Sequence, residues 1–161
     1  MQGEELFRPA GSADGTEQSL EEALGAAGYL VRPVEGDSMM PMLDQRRDFV
    51  KIVPLSAPLK KYDLPLYRRP SGQYVLHRVI AVCKKYCVTC GYNRWKSEKG
   101  PYAWLGGVTE GFYKDGKYIS CGDGAYLAYV RRVVRGRFSR FVKAAFRRLF
   151  SHGKGRKCKK R

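Results

Sequence analysis

Short apolar runs broken by turn residues fill the middle of this chain. Phe49-Val50-Lys51-Ile52-Val53 alternates, is rich in β-branched residues and is stopped by Pro54. Residues 64–68 predict the next strand, and Arg69-Pro70-Ser71-Gly72 a turn. Residues 73–83 form the longest predicted strand, which Lys84-Lys85 can turn into 86–90. Residues 104–113 and 117–120 flank Asp115-Gly116, a hairpin signal because both residue types tolerate left-handed backbone. Many short strands with frequent turns predict a mainly β fold, an antiparallel sandwich or a distorted barrel.

The two ends follow a helical period instead. Ser19 can cap a short N-terminal helix, with Glu22 at the capping-box position and Gly25 and Gly28 to end it. Residues 29–34 then run extended toward Gly36-Asp37-Ser38. From Arg132 onward, Phe138, Phe141, Val142, Ala145, Phe146, Leu149 and Phe150 fall on one helical stripe. Arg137, Arg140, Lys143, Arg147 and Arg148 occupy the other side, and Gly153 and Gly155 release a basic tail. The expected division is a flexible segment with a short helix over 1–27, a catalytic-type β domain over 28–130, and a basic amphipathic helix and tail over 131–161.

Charge sharpens that division. The chain has 161 residues and a net charge of +16, and its length suits one domain. Fourteen of the Lys and Arg residues lie in 131–161, where there is no Asp or Glu, so 1–130 is nearly neutral. An acidic partner is therefore expected to meet the C-terminal segment. Three readings stand for it. The stripe can dock on the β domain, or enter the boundary of an anionic membrane through Phe138, Phe141, Phe146 and Phe150 while Arg140, Arg147 and Arg148 meet phosphates. It can also bind nucleic acid, although no groove-reading or base-stacking motif is visible.

No run approaches the ~18 apolar residues of a membrane span, and the first fifteen residues lack the apolar core of a secretory signal. The expected location is cytoplasmic or peripheral on a membrane. Five cysteines, Cys83, Cys87, Cys90, Cys121 and Cys158, suit reduced thiols. Their spacing is poor for zinc, so buried strand cysteines are expected, with no metal and no cofactor.

One serine and one histidine carry the candidate chemistry. Ser38 follows a turn-prone Glu35-Gly36-Asp37 and precedes Met39-Met40-Pro41-Met42-Leu43. His77 lies in the apolar run Tyr74-Val75-Leu76-His77-Arg78-Val79; the second histidine, His152, is in the basic tail. A serine hydroxyl needs a neighbouring base to attack a carbonyl at neutral pH, and His77 is the evident base. Strand alternation places His77 on the face of Val75 and Val79, opposite Leu76 and Arg78. Taken alone, Ser38 reads first as a turn residue and His77 as a satisfied core histidine; the catalytic reading depends on the two together.

Gly36-Asp37-Ser38-Met39-Met40-Pro41 resembles the serine box of the signal peptidase I and LexA-type serine peptidase superfamily. Leu76-His77-Arg78-Val79 resembles its second box, in the form with a histidine base known from endoplasmic-reticulum, archaeal and Gram-positive signal peptidases. Arg47-Asp48-Phe49-Val50 and Tyr62-Asp63-Leu64-Pro65-Leu66-Tyr67 are similar to the two core strands between the boxes. The resemblance covers roughly residues 28–130. It implies a mostly antiparallel β domain, a Ser38 nucleophile, a His77 base and an oxyanion donor in the Ser38 amide. It also implies a peptide or preprotein substrate with small residues at the cut. Met39, Pro41 and Met42 are expected to line the substrate cleft, as flexible apolar walls.

The third catalytic position departs from the pattern. Where His-type relatives carry an aspartate, Gly91-Tyr92-Asn93 places Tyr92. Asp123 is the other candidate for orienting the imidazole, and Arg78 matches the family's basic neighbour. The departure leaves a second reading open: a degenerate, non-cleaving relative that serves as a membrane- or nucleic-acid-binding adaptor.

Overall fold

The computed structural model describes residues 19–94 and 96–136. Helix α1 (Leu20–Ala27) begins with a complete capping box: the Glu22 amide donates to Ser19 Oγ at 3.2 Å and the Ser19 amide to Glu22 Oε2 at 3.1 Å. Gly25 stays within the helix, and Gly28 closes it in left-handed backbone.

Strands β1 (Leu30–Pro33), β2 (Phe49–Val53), β3 (Pro65–Arg68), β4 (Tyr74–Leu76), β8 (Leu105–Lys114) and β9 (Lys117–Ser120) make a six-stranded antiparallel sheet. Its path is β1-β2-β8-β3-β4, with β9 paired to β8. Strands β5 (Arg78–Val82), β6 (Tyr86–Cys90) and β7 (Glu98–Pro101) make a second, three-stranded antiparallel sheet. The result is the expected mainly β, distorted-barrel architecture. The β8–β9 hairpin turns at Asp115-Gly116, both at positive φ, as the sequence predicts.

Two features differ from the expectation in ways that matter for the site. The long strand predicted over 73–83 is two strands in two different sheets, broken at His77. A residue at such a switch has protein on both sides, so simple alternation no longer sorts its neighbours into core and solvent faces. His77 is accordingly 5 % exposed and Arg78 2 %. Strand β7 was not predicted, because Glu98-Lys99-Gly100-Pro101 has no apolar signature; it forms by pairing with β6.

The main core gathers Leu24, Leu43, Val50, Ile52, Leu64 and Phe112 between the larger sheet and the helices. At Gly107 an added Cβ would stand 2.8 Å from Leu24 Cδ2 and 2.9 Å from Ile52 Cγ2, so α1 packs directly on β8 there. A second helix, α2, runs over residues 124–136, starting earlier than the Arg132 expected. Tyr126, Val130 and Val134 recur every fourth residue and carry the inward face back toward the core. A smaller cluster, Leu59, Val79 and Cys87, lies under the second sheet.

Candidate active site

Ser38 sits on a loop held from several directions. Gly36 takes φ +75°, a conformation that favours glycine, just before it. Met40 N donates to Asp37 O at 3.0 Å and Leu43 N to Met39 O at 3.1 Å, coiling the loop tightly. Met39, Met42 and Leu43 are buried anchors beneath it. At its far end Lys114 Nζ donates to Met42 O at 2.8 Å and pairs with Asp48 Oδ2 at 3.2 Å. Asp48, fully buried, also accepts from the Asp44 amide at 2.8 Å. The Asp48 of the first core-strand motif thus braces the serine loop.

The Gly91-Tyr92-Asn93 segment holds the other side. Asn93 N donates to Ser38 O at 3.3 Å. A Cβ at Gly91 would lie 2.6 Å from Ser38 O and 3.1 Å from Ser38 Cβ. Glycine is therefore needed there for close approach to the serine backbone. Arg94 pairs with Asp37 at 2.6 Å across the same edge.

Ser38 and His77 line one cleft of about 330 Å³, with Asp37, Arg69, Arg94 and Glu98 among its walls. His77 Nδ1 lies 3.3 Å from Tyr67 Oη and 4.0 Å from Glu98 Oε2. The Tyr67 hydroxyl donates to Glu98 Oε2 at 2.7 Å and stands 3.3 Å from Thr89 Oγ1. Arg69 binds the other Glu98 oxygen. Its hydrogen bond is the largest influence holding the Glu98 carboxyl below its ordinary pKa, and Tyr67 adds to it. Burial pushes the Tyr67 phenol well up, which keeps it protonated.

Arg78 points the opposite way and is sealed in the core. Its guanidinium donates to Tyr62 O at 2.6 Å, binds the Tyr126 hydroxyl and lies 3.3 Å from Met42 Sδ. The rings of Tyr92 and Tyr126 lie 5.6 and 5.4 Å from its central carbon, within cation–π range. Arg78 thus ties the serine loop, the segment before β3, the 91–93 segment and α2 together. It is not the surface arginine that strand alternation permits.

The remaining expected site residues fall elsewhere. Met39 is 1 % exposed in the core, because the tight loop turns it inward, away from the Ser38–His77 cleft. Pro41 and Met42 face a second, larger and more apolar cavity of about 560 Å³, shared with Phe112, Ile119, Tyr126 and Tyr129. Asp123 caps α2, its Oδ1 accepting from Tyr126 N at 2.9 Å, and Tyr92 packs on Arg78; neither lines the cleft. Cys87 and Cys90 are buried on β6 and donate to the carbonyls of Gly100 and Lys96. No metal-holding group of three or more His, Cys, Asp or Glu occurs among the described residues. Phe138, Phe141, Phe146, Phe150, Arg140, Arg147 and Arg148 lie outside the described residues. Among the described residues, no helix is long and apolar enough to cross a membrane.

Neither Tyr67, which closes the second core-strand motif, nor Glu98 is a site residue by the sequence reading. Tyr67 is an ordinary strand aromatic by pattern. Glu98 has no motif, and its place depends on β7 pairing with β6, Thr89 opposite Glu98. None of the family models, curated proteins or solved structures compared with the chain matches it.

Proposed function

We propose that this protein is a serine endopeptidase of the signal peptidase and LexA type, with Ser38 as nucleophile and His77 as general base. The observation that carries the reading is the shared cleft: Ser38 and His77, 39 positions apart, line one concave, polar site. In the proposed reaction Ser38 Oγ bonds to the scissile carbonyl carbon and its proton passes to His77. The carbonyl oxygen, now negative, is met by backbone donors at the Ser38 turn. His77 then protonates the leaving amine as the C–N bond breaks. Water, deprotonated by the same imidazole, hydrolyses the acyl-enzyme and restores Ser38. The substrate class is an extended peptide segment, with small residues at the cut by family resemblance.

A fluorophosphonate probe tests the chemistry without a known substrate. The expected result is one adduct on intact protein, mapped to Ser38 by peptide mass spectrometry and absent from Ser38→Ala. A folded wild type that stays unlabelled, or labels elsewhere, overturns the reading in favour of a non-cleaving adaptor.

The C-terminal stripe supports a second element of the proposal, a tether to anionic membrane. Its basis is the sequence alone: four phenylalanines on one helical face, arginines opposite, and a basic tail. The full chain should pellet with vesicles containing phosphatidylserine more than with phosphatidylcholine alone, and less as salt rises. Changing Phe138, Phe141, Phe146 and Phe150 together to serine should weaken pelleting. Equal pelleting of both proteins, or of both vesicle types, refutes the tether.

A further inference from the structure

We propose that Tyr67 and Glu98 act together as the positioning pair for the His77 imidazole, in place of an aspartate at position 92. The inference rests on the Ser38–His77 reading and concerns the part that reading leaves unassigned.

The Tyr67 hydroxyl has one proton to give. The closest acceptor of good geometry is the Glu98 carboxylate, at 2.7 Å, and a hydrogen bond to a carboxylate is the stronger kind. With its proton directed there, Tyr67 Oη meets His77 Nδ1, at 3.3 Å, as an acceptor. That arrangement requires the proton on Nδ1 and leaves the lone pair on Nε2, the tautomer a general base needs. A hydroxyl from Thr89, at 3.3 Å, completes the phenol's surroundings.

Glu98 adds charge to this orientation. Its Oε2 lies 4.0 Å from His77 Nδ1, close enough to favour the imidazolium that forms when Ser38 gives up its proton. Arg69 fixes the carboxylate from the far side, so it cannot swing away without losing that ion pair. No proton moves to Glu98 in this account: the Ser38 proton goes to Nε2, and the Nδ1 proton stays in place. The other cleft charges are Glu35, Asp37, Arg94 and Lys96, with Asp37 and Arg94 already paired to each other. Tyr67 on β3 and Glu98 on β7 meet His77 where the two sheets join, and Thr89 on β6 stands against the phenol.

The test measures the second-order rate of fluorophosphonate labelling against pH for wild type, Glu98→Gln and Tyr67→Phe, with melting curves to confirm folding. A parallel NMR titration of the His77 ring, assigned by comparison with His77→Asn, reads the imidazole itself. Glu98→Gln should label ~10- to 100-fold more slowly, less than the ~10⁴-fold loss of a directly bonded triad aspartate. Its rate and ring titrations should both shift toward acid by ~1 pH unit, because the neighbouring negative charge is gone. Tyr67→Phe should slow labelling with a smaller shift. A purely structural role would lower the rate and leave both midpoints unmoved. Wild-type rates and midpoints in both variants overturn the inference. If wild type is not labelled but the ring titration still moves in Glu98→Gln, the positioning pair stands and the peptidase reading falls.

Discussion

His77 and Arg78 are neighbours in the chain, both buried, and they do opposite things. His77 lines a polar cleft with a carboxylate and a phenol beside it, and a threonine hydroxyl stands against that phenol. Arg78 faces the core, between two tyrosine rings, where it binds a backbone carbonyl and a phenol. Burial of an ionisable group therefore does not mark chemistry by itself. What separates the two is access to a cavity and the company of groups that can hold or move a proton. The cavities teach the same lesson: the larger, more apolar one lies on the Pro41–Met42 side, away from Ser38 and His77.

The sharpest way to break the comparison is to remove each member. His77→Asn should lower Ser38 labelling by roughly 10⁴-fold or more, the scale of losing a base from a nucleophile–base unit. Its melting temperature should change little, since asparagine can keep a polar partner. Labelling that persists at the wild-type rate would mean that His77 is a core residue only. Arg78→Ala should reverse the pattern, costing about 3 kcal/mol of stability through a cavity and the unpaired Tyr126 and Tyr62 groups it leaves. Chemical denaturation measures it. A loss under ~1 kcal/mol would show that the tyrosines close over the gap.

The fold was legible where local pattern and tertiary need agree. The Ser19–Glu22 capping box, the Asp115-Gly116 hairpin and the strand Phe49–Val53 were read directly because each is encoded by adjacent residues. Ser38 and His77 were singled out by motif, and that both line one cleft follows from long-range pairing. What was not legible depends on that pairing. Glu98 reaches His77 because β7 adds to β6, and Arg78 is buried because the chain changes sheets at His77. Asp123 looked like a candidate orienting acid, yet its position before a helix makes it a cap, and a helix recognised from residue 124 would have said so.

The backbone that holds Ser38, the proposed nucleophile, lies against Gly91, and that contact can be tested without changing His77 or Arg78. Gly91→Ala would place a Cβ at 2.6 Å from Ser38 O, so either the 91–93 segment or the serine turn must shift. A displacement near ~1 Å costs a reaction ~10²-fold. The expected outcome is a labelling rate down by about that factor, with an unchanged pH midpoint because the His77 surroundings are intact. A shifted midpoint would show that the serine turn and the imidazole are coupled more closely than the comparison allows.

The smallest expected effect lies in acid stability, and it separates the two sides by charge. Glu98, on the His77 side, has its carboxyl held below the ordinary value, chiefly by the Arg69 hydrogen bond and also by Tyr67. A carboxyl depressed in the folded state contributes fully above its unfolded pKa, near ~4.3, and loses that contribution as pH falls through the folded value. The Arg78 side has no equivalent, since its partners among the described residues are a carbonyl, phenols and a thioether, and arginine does not titrate there. Because Glu98 is partly exposed, its share should be only a few tenths of a kcal/mol. Asp44, held down to about 2 by Arg46, titrates later and does so equally in every variant. Urea midpoints at pH 6 and pH 3.5 should therefore fall less in Glu98→Gln than in wild type, and by the wild-type amount in Arg78→Met. Identical pH dependence in wild type and Glu98→Gln would mean that the Arg69–Glu98–Tyr67 group contributes nothing to the folded state, and that its role must be sought in the rate alone.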